Sequence, residues 1–166
     1  NILGNTVEEI AKEKAGIFKS SVPAISAQQT ESVSEVLKEC AEASRTEVKI
    51  ISNDIEFSAR FGGGIDGKQH TRICVITEDS QYMHIPVPLN GEHQATNCAL
   101  AISAIDQLKK VGYEFDDLAL YNALAETKIE GRMETVWERP KIIVDGAHNP
   151  TALQALIKSI GAHIPY

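Results

Sequence analysis

The sequence Lys141-Ile142-Ile143-Val144-Asp145-Gly146-Ala147-His148-Asn149-Pro150 decides the fold class of this chain. Residues 141–144 contain the β-branched run Ile142-Ile143-Val144, which favours a strand. Asn149 followed by Pro150 is a helix start, with the asparagine as N-cap and the proline at the first helical position. A strand that turns directly into a helix is the building unit of α/β folds. The sequence therefore predicts an α/β protein.

The segment before this unit changes character at Ile129-Glu130-Gly131-Arg132, which is typical of a hinge. A strand is predicted over 133–138, and the helix after the quoted strand is predicted to end near residue 160. We expect residues 1–131 to form part of one domain and residues 132–166 to begin a second one. The first residue is not methionine and the second domain stops after one helix, so we expect an internal fragment of a longer protein.

The rest of the chain alternates between helical and extended patterns. Helices are predicted over 6–18, 30–43, 92–111 and 115–127, and strands over 22–27, 47–52, 55–61, 71–77 and 82–87. In the second helix, four residues are predicted to face inward: Val33, Val36, Leu37 and Cys40. The middle of the third helix, 98–102, is apolar all round and is therefore predicted to be deeply buried.

Composition excludes several classes of function. The chain has 166 residues and a formal net charge of -7, which leaves none of the basic surface that nucleic-acid binding requires. Its three cysteines, Cys40, Cys74 and Cys98, have neither a CxxC pair nor metal-ligand spacing, which indicates buried thiols in a reducing compartment. No stretch is apolar for long enough to span a membrane, and no signal peptide is visible. We therefore expect a cytoplasmic protein without nucleic-acid or membrane partners.

Lys14 lies in the middle of an apolar stripe on the first predicted helix. The stripe is formed by Val7, Ile10, Ala11, Ile17 and Phe18. A lysine there must extend its ammonium group to water, find an anionic partner or lose its proton. A neutral lysine amine is a nucleophile that can form a Schiff base, act as a general base, or add carbon dioxide to form a carbamate. The pattern leaves both a solvent-reaching lysine and a catalytic lysine open.

The start of the third predicted helix, Gly91-Glu92-His93-Gln94-Ala95-Thr96-Asn97, is a second candidate site. His93 and Asn97 are one turn apart on one face, with Gln94 beside them. A helix N-terminus offers free N–H groups and the positive end of the helix dipole, which suits a phosphate or a polar base. Ordinary polar capping of the helix is the alternative.

Asp145 and His148 lie in the turn between the quoted strand and its helix, where α/β sheets gather ligands. An aspartate and a histidine in this turn can hold a ribose, a metal-bound water or a phosphate. A turn with Asn149 as N-cap is the alternative, but it does not explain the other two residues.

The segment Gly62-Gly63-Gly64-Ile65-Asp66-Gly67-Lys68 has the spacing of a phosphate-binding loop up to its lysine. The next residue is Gln69 in place of serine or threonine, so the hydroxyl that would bind magnesium is missing. The following residues favour a strand, whereas a phosphate loop opens a helix. We therefore expect a hairpin loop.

Four motifs together resemble the folylpolyglutamate and dihydrofolate synthases, the folate branch of the Mur ligase superfamily. In chain order they are Leu3-Gly4-Asn5-Thr6 with Ile10 to Ile17, Gly91-Glu92-His93-Gln94 with Asn97, Gly131-Arg132, and Asp145 to Pro150. The run Glu13-Lys14-Ala15-Gly16 and the last motif carry most of the resemblance. It extends from the first residues of the chain to about Pro150.

The resemblance implies a nucleotide-binding Mur-type α/β domain, a smaller Rossmann-like C-terminal domain, and ATP in the cleft between them. This chain would hold the C-terminal half of the first domain and the first β/α units of the second. The implied reaction of folate biosynthesis and one-carbon metabolism phosphorylates a carboxylate of dihydropteroate or folate with ATP. The amine of glutamate then attacks the acyl phosphate and forms an amide.

The resemblance also implies roles for single residues. Lys14 matches a lysine that is carbamylated in such enzymes, and its carbamate would help to hold a magnesium ion at the γ-phosphate. Asn97 is implied to contact adenine, Arg132 to reach the phosphates from the hinge, and Asp145 to bind ATP. His148, beside this aspartate, is the second catalytic candidate.

The implied phosphate loop, main magnesium ligands and most folate-binding residues would precede Asn1, and the glutamate site would follow Tyr166. The chain alone is therefore expected to be inactive. Two alternatives stay open: a Mur ligase of peptidoglycan synthesis, and a non-catalytic α/β binding module. The compact run Glu13-Lys14-Ala15-Gly16 favours the folate branch.

Overall fold

The computed structural model describes residues 3–63, 69–89 and 91–163. The helices within these ranges are α1 (Val7–Ala15), α2 (Glu31–Ala43), α3 (Glu92–Lys110), α4 (Asp117–Glu126) and α5 (Pro150–His163). The strands are β1 (Ala24–Ser26), β2 (Val48–Ile50), β3 (Glu56–Gly63), β4 (Gln69–Ile76), β5 (Gln81–Val87), β6 (Glu134–Glu138) and β7 (Lys141–Val144). The predicted α/β class is confirmed, and each predicted helix and strand is present with ends that differ by a few residues.

The strands form three small sheets in the described part of the chain. Strands β1 and β2 pair in parallel with α2 as the crossover between them. Strands β3, β4 and β5 form an antiparallel sheet, and β6 pairs with β7 as an antiparallel hairpin. The glycine-rich segment predicted to be a hairpin loop joins β3 to β4, and a strand follows it, as predicted. Residues 64–68 themselves lie outside the described residues.

The main core lies between α3 and the antiparallel sheet. Ile73, Val75, Ile85 and Val87 of the sheet and Ile102 of α3 are all fully buried. Burying a side chain of this kind stabilises the fold by about 1.5–3 kcal/mol relative to leaving it exposed. The three-stranded sheet and α3 are therefore held together by one shared apolar core.

The prediction that the middle of α3 is buried all round is wrong. Cys98, Ala99 and Ile102 are buried, but Ala101 is exposed. Helix α3 packs against the sheet with one face, and small residues on the other face need no cover. The inward face of α2 is confirmed more closely, with Val33 and Leu37 buried. Val36 and Cys40 pack against the same cluster while partly exposed.

Helix α1 begins as predicted, because the Thr6 hydroxyl accepts a hydrogen bond from the Glu9 backbone N–H at 3.1 Å. It ends at Ala15, three residues before the predicted end. The predicted apolar stripe is only partly buried: Ala11 is covered, whereas Val7 is 58% exposed and Ile17, which lies beyond the helix end, is 79% exposed. The cause is that α2 covers only the part of α1 that carries small residues.

The C-terminal unit consists of the β6–β7 hairpin and α5. The Asn149 side chain accepts a hydrogen bond from the Ala152 backbone N–H at 2.9 Å, and Pro150 is the first residue of the helix. The predicted helix start is therefore confirmed. Helix α5 contacts the start of α3, where Lys158 Nζ lies 2.7 Å from Glu92 Oε2. The predicted domain division after residue 131 stays a prediction. Within the described ranges, no helix combines the length and apolar character needed to cross a bilayer.

Candidate functional site

A cavity of about 730 Å³ lies between the start of α3 and the turn that joins β7 to α5. Its volume lies within the usual range of small-molecule sites. Four of the five predicted site residues line it: Asn97, Arg132, Asp145 and His148. Other lining residues come from the same segments: His93, Gln94, residues 146–147, residues 149–152, Ala155 and Leu156. The fold thus joins three separate sequence motifs around one space.

Asp145 ties the two sides of the β6–β7 hairpin together at the rim of the cavity. Its Oδ2 atom accepts a hydrogen bond from the Met133 backbone N–H at 2.9 Å, and its Oδ1 atom accepts one from the Ala147 N–H at 2.8 Å. A carboxylate oxygen has two lone pairs, so each atom can still accept a bond from a ligand hydroxyl. Asp145 is therefore a structural tether as well as a candidate for ATP binding.

The ring of His148 is oriented by its own turn. Its Nδ1 atom lies 3.0 Å from the Gly146 carbonyl oxygen. A carbonyl only accepts, so Nδ1 must carry the hydrogen and donate it. In the neutral ring, Nε2 is then the acceptor, and it remains available for a ligand in the cavity.

The first turn of α3 supplies an amide pair to the cavity. Gln94 is only 2% exposed, and its Oε1 atom accepts a hydrogen bond from Asn97 Nδ2 at 3.2 Å. This bond fixes the Asn97 amide and leaves its Oδ1 atom as an acceptor. The sequence motif contained Gln94, but the residue was not among the predicted site residues. The burial of Gln94 in the first turn of α3, next to the cavity, identifies it as a site residue.

The start of α3 is capped by Gly91, which has φ +102° and no side chain. The Gln94 N–H bonds back to the Gly91 carbonyl at 3.0 Å. Glycine has no side chain, so no side-chain cap accepts a hydrogen bond from the N–H groups of the first turn. Helix α5 also begins at the cavity, with residues 150–152 in its lining. Two helix N-termini therefore point their partial positive charge at one site.

Arg132 adds a full positive charge to the same place. It lies just before β6, and its side chain is exposed and lines the cavity. Its guanidinium group lies against Gly146 in the opposite turn. Arginine binds phosphates through a planar set of donors, often two at a time. The cavity therefore combines an arginine side chain with two helix N-termini in a chain whose formal net charge is -7.

Lys14 lies elsewhere. It is exposed and lines a separate apolar groove of about 360 Å³ between α1, α2 and β1. Most of the groove is formed by aliphatic side chains, including Ile10, Ile25 and Leu37, and its other polar side chains are Ser26 and Gln29. The structure does not bring Lys14 together with the four other predicted residues.

Neither cavity offers a complete set of magnesium ligands. In the described part of the chain, no group of three or more histidine, cysteine, aspartate or glutamate side chains is arranged to hold a metal ion. The groove around Lys14 has no carboxylate in its lining, and the main cavity has one, Asp145. Magnesium requires several oxygen ligands in an octahedral arrangement. These residues alone do not fit the ion, and its predicted role stays a prediction.

No family model matches the chain. Individual proteins do match it. The dihydrofolate synthase/folylpolyglutamate synthase of Bacillus subtilis is 35% identical over 167 residues, covering 96% of this chain and 36% of the relative. The chain thus spans little more than a third of the length of this relative.

Solved structures give the same result. The FPGS–AMPPCP–folate complex superimposes with a TM-score of 0.87 and 26% identity, covering 99% of this chain and 39% of that one. Folylpolyglutamate synthase of Mycobacterium tuberculosis, solved with ADP and AMPPCP, gives a TM-score of 0.81 and 28% identity over 99% of this chain and 37% of that one. The resemblance to folylpolyglutamate and dihydrofolate synthases is therefore confirmed, together with the fold that these proteins share.

Proposed function

We propose that this chain forms part of an ATP-dependent ligase that joins glutamate to dihydropteroate or folate through an acyl phosphate. The premise is its similarity to folylpolyglutamate and dihydrofolate synthases over almost its whole length. The main cavity then serves as part of the ATP site. This similarity favours the folate branch over a Mur ligase of peptidoglycan synthesis.

One observation carries the proposal: Asn97, Arg132, Asp145 and His148, from three distant motifs, line one cavity that two helix N-termini also reach. Phosphate groups bind well at helix N-termini and next to arginine. The neighbouring structures were solved with AMPPCP or ADP, which supports a nucleotide as the ligand. A purely structural cluster would not need an arginine side chain and two helix N-termini at one cavity.

Each residue has a role that follows from its hydrogen bonds. Asn97 can accept a bond from the exocyclic amine of adenine with Oδ1, because its Nδ2 is bonded to Gln94. Asp145 can accept from a ribose hydroxyl with its remaining lone pairs. Arg132 neutralises phosphate charge, and His148 presents Nε2 to the ligand. Phosphoryl transfer depends mainly on such positioning and charge neutralisation.

We also propose that Lys14 becomes a carbamate and that magnesium accompanies ATP. Exposure makes Lys14 accessible to carbon dioxide and bicarbonate. Most of its neighbours in the groove are aliphatic, and no carboxylate lines the groove to pair with its ammonium group. The ligands of the magnesium ion would have to come in part from outside the described side chains, which form no group able to hold a metal ion.

Nucleotide binding tests the proposal directly. Isothermal titration of the chain with AMPPCP should give saturable binding, and Arg132→Ala should weaken it by about tenfold or more, since hydrogen bonds to charged groups are worth about 1.5–3 kcal/mol. Arg60→Ala is the matched control, because Arg60 is an exposed arginine of β3 outside the cavity. Equal binding by both variants would argue against the site. Absence of binding by a longer protein that also contains the implied phosphate loop would favour a non-catalytic α/β module.

The substrate class is tested on a longer protein that contains this chain. Such a protein should consume ATP and incorporate labelled glutamate when dihydropteroate or folate is present. Activity with a nucleotide-linked sugar peptide in place of folate would identify the peptidoglycan alternative. The chain by itself is expected to be inactive in this assay.

A further inference from the structure

We propose that Gly146 is a positioning residue for Arg132: the missing side chain at position 146 leaves the space in which the guanidinium group lies. The inference rests on the proposed function, because its consequence is the placement of a positive charge in the nucleotide cavity. Gly146 would act through Arg132 without contacting the ligand.

The contact is specific to one group. A Cβ atom placed on Gly146 would overlap Arg132 Nη1, and it would lie 3.1 Å from Cζ and 3.6 Å from Nη2. The three nearest atoms all belong to the same guanidinium group. Any side chain at position 146 would therefore force Arg132 out of its present position.

Backbone conformation does not require glycine at this position. Gly91 and Gly131 have positive φ angles of +102° and +66°, a region that other residues rarely adopt. Gly146 is outside that region. Its φ angle therefore gives no reason for glycine at this position, whereas the space that Arg132 occupies does.

Neighbouring hydrogen bonds hold both partners in place. Asp145 Oδ2 accepts from the Met133 N–H at 2.9 Å, which links the residue before Gly146 to the residue after Arg132. The Gly146 carbonyl also accepts from His148 Nδ1. The two backbones are thus fixed at close range, and the only soft part of the contact is the arginine side chain.

Filling the space should weaken ligand binding and leave the stability of the fold almost unchanged. The overlapping atom is the far end of a flexible side chain, which can rotate away with little loss of stability. Its charge then moves away from the start of α5, where we propose that phosphate binds. A guanidinium group can donate two parallel hydrogen bonds to a phosphate only from a defined position, so small displacements of this group weaken phosphate binding.

A double-mutant cycle with two ligands tests the inference. Gly146→Ala, Arg132→Ala and the double variant are titrated with ATP and with adenosine, which lacks phosphates. Gly161→Ala is the matched control, because a Cβ atom there meets nothing within 4 Å. We expect Gly146→Ala to weaken ATP binding about tenfold and to leave adenosine binding unchanged. In the Arg132→Ala background it should have no further effect on ATP.

A conservative replacement and an NMR measurement complete the test. In Arg132→Lys, the narrower ammonium does not fill the space over the turn, so Gly146→Ala should be harmless in that background. The ¹⁵N–¹H signal of Arg132 Nε, assigned by its loss in Arg132→Ala, should shift in Gly146→Ala and stay unchanged in Gly161→Ala. The melting temperature of Gly146→Ala should remain close to that of the unaltered chain.

Several results would overturn the inference: an unchanged Arg132 signal in Gly146→Ala, equal loss of ATP and adenosine binding, or the same loss of ATP binding with and without Arg132. Failure of the proposed function looks different. If the unaltered chain binds neither ligand, the cavity is not a nucleotide site by itself, and the Arg132 signal still decides the contact: a shift supports it and an unchanged signal overturns it.

Discussion

Asp145 and Met133 are joined by a hydrogen bond of 2.9 Å from the backbone N–H of Met133 to the side-chain Oδ2 of Asp145. The bond closes the open end of the β6–β7 hairpin and fixes the position of Arg132, the residue before Met133. The other carboxylate oxygen of Asp145 holds the turn into α5. One side chain therefore sets the geometry on two sides of the candidate nucleotide site.

Asp145→Asn should lower the free energy of unfolding by about 1–3 kcal/mol. Asparagine has only one side-chain oxygen, which takes the place of one of the two carboxylate oxygens. Its NH₂ group takes the place of the other oxygen and cannot accept a hydrogen bond from the second backbone N–H group. Urea unfolding gives the stability, and AMPPCP titration gives the binding. Asp54→Asn is not a suitable control, because Asp54 also accepts a backbone bond. Glu134→Gln is a suitable control, because the Glu134 carboxylate accepts a single, exposed hydrogen bond from a backbone N–H group. Equal effects of the two changes would contradict the dual role of Asp145.

Gly91→Ala should destabilise the chain more than Gly112→Ala. Both glycines have positive φ, at +102° and +94°, so both changes introduce backbone strain of about 1–3 kcal/mol. Only at Gly91 does a Cβ atom meet neighbours, at 2.8 Å from His93 Cε1 and 3.1 Å from Ser159 Oγ. The difference between the two variants in urea unfolding measures this steric part, which we expect to be about 1–3 kcal/mol.

A second readout separates strain from displacement at Gly91. The added methyl group should push the start of α3 away from α5, which also carries His93 away from the cavity. AMPPCP binding should therefore weaken in Gly91→Ala and remain unchanged in Gly112→Ala. If both variants lose the same stability and bind AMPPCP equally well, the close contact between α3 and α5 contributes neither to stability nor to nucleotide binding.

Lys14→Ala should change the free energy of unfolding by no more than about 0.5 kcal/mol, because the side chain is exposed. Lys12→Ala, on the same helix but outside the groove, is the matched control. The proposed carbamate should give a carbonyl signal after addition of ¹³C-bicarbonate. That signal should disappear in Lys14→Ala and persist in Lys12→Ala. Persistence in both variants would assign carbamylation to another amine.

Cys98 should resist alkylation while Cys40 and Cys74 react. Cys98 is 5% exposed, and burial raises the pKa of its thiol. A raised pKa means that a smaller fraction is thiolate at pH 8, and the thiolate is the nucleophile. The other two cysteines are partly exposed. Peptide mapping after iodoacetamide treatment should find Cys98 modified only after unfolding in urea. Equal rates for all three would contradict the packing of α3.

The sequence predicted the local elements well because their causes are local. Thr6 caps α1 and Asn149 caps α5 through bonds to N–H groups three residues ahead. The inward residues of α2, Val33 and Leu37, follow from helical spacing alone. Element ends were less accurate, as at the end of α1, because fraying and the cover provided by neighbours are decided by packing.

The sequence by itself determined the α/β class, the order of helices and strands, the helix caps and the motifs that resemble folate synthases. These depend on residues within a turn or two of each other. Only the tertiary structure decided that Gln94 joins Asn97 in the cavity, that Lys14 lies in a separate groove, and that Gly146 makes room for Arg132. Such contacts depend on how distant segments pack, and the chemical character of a residue does not reveal which neighbour will occupy the space beside it.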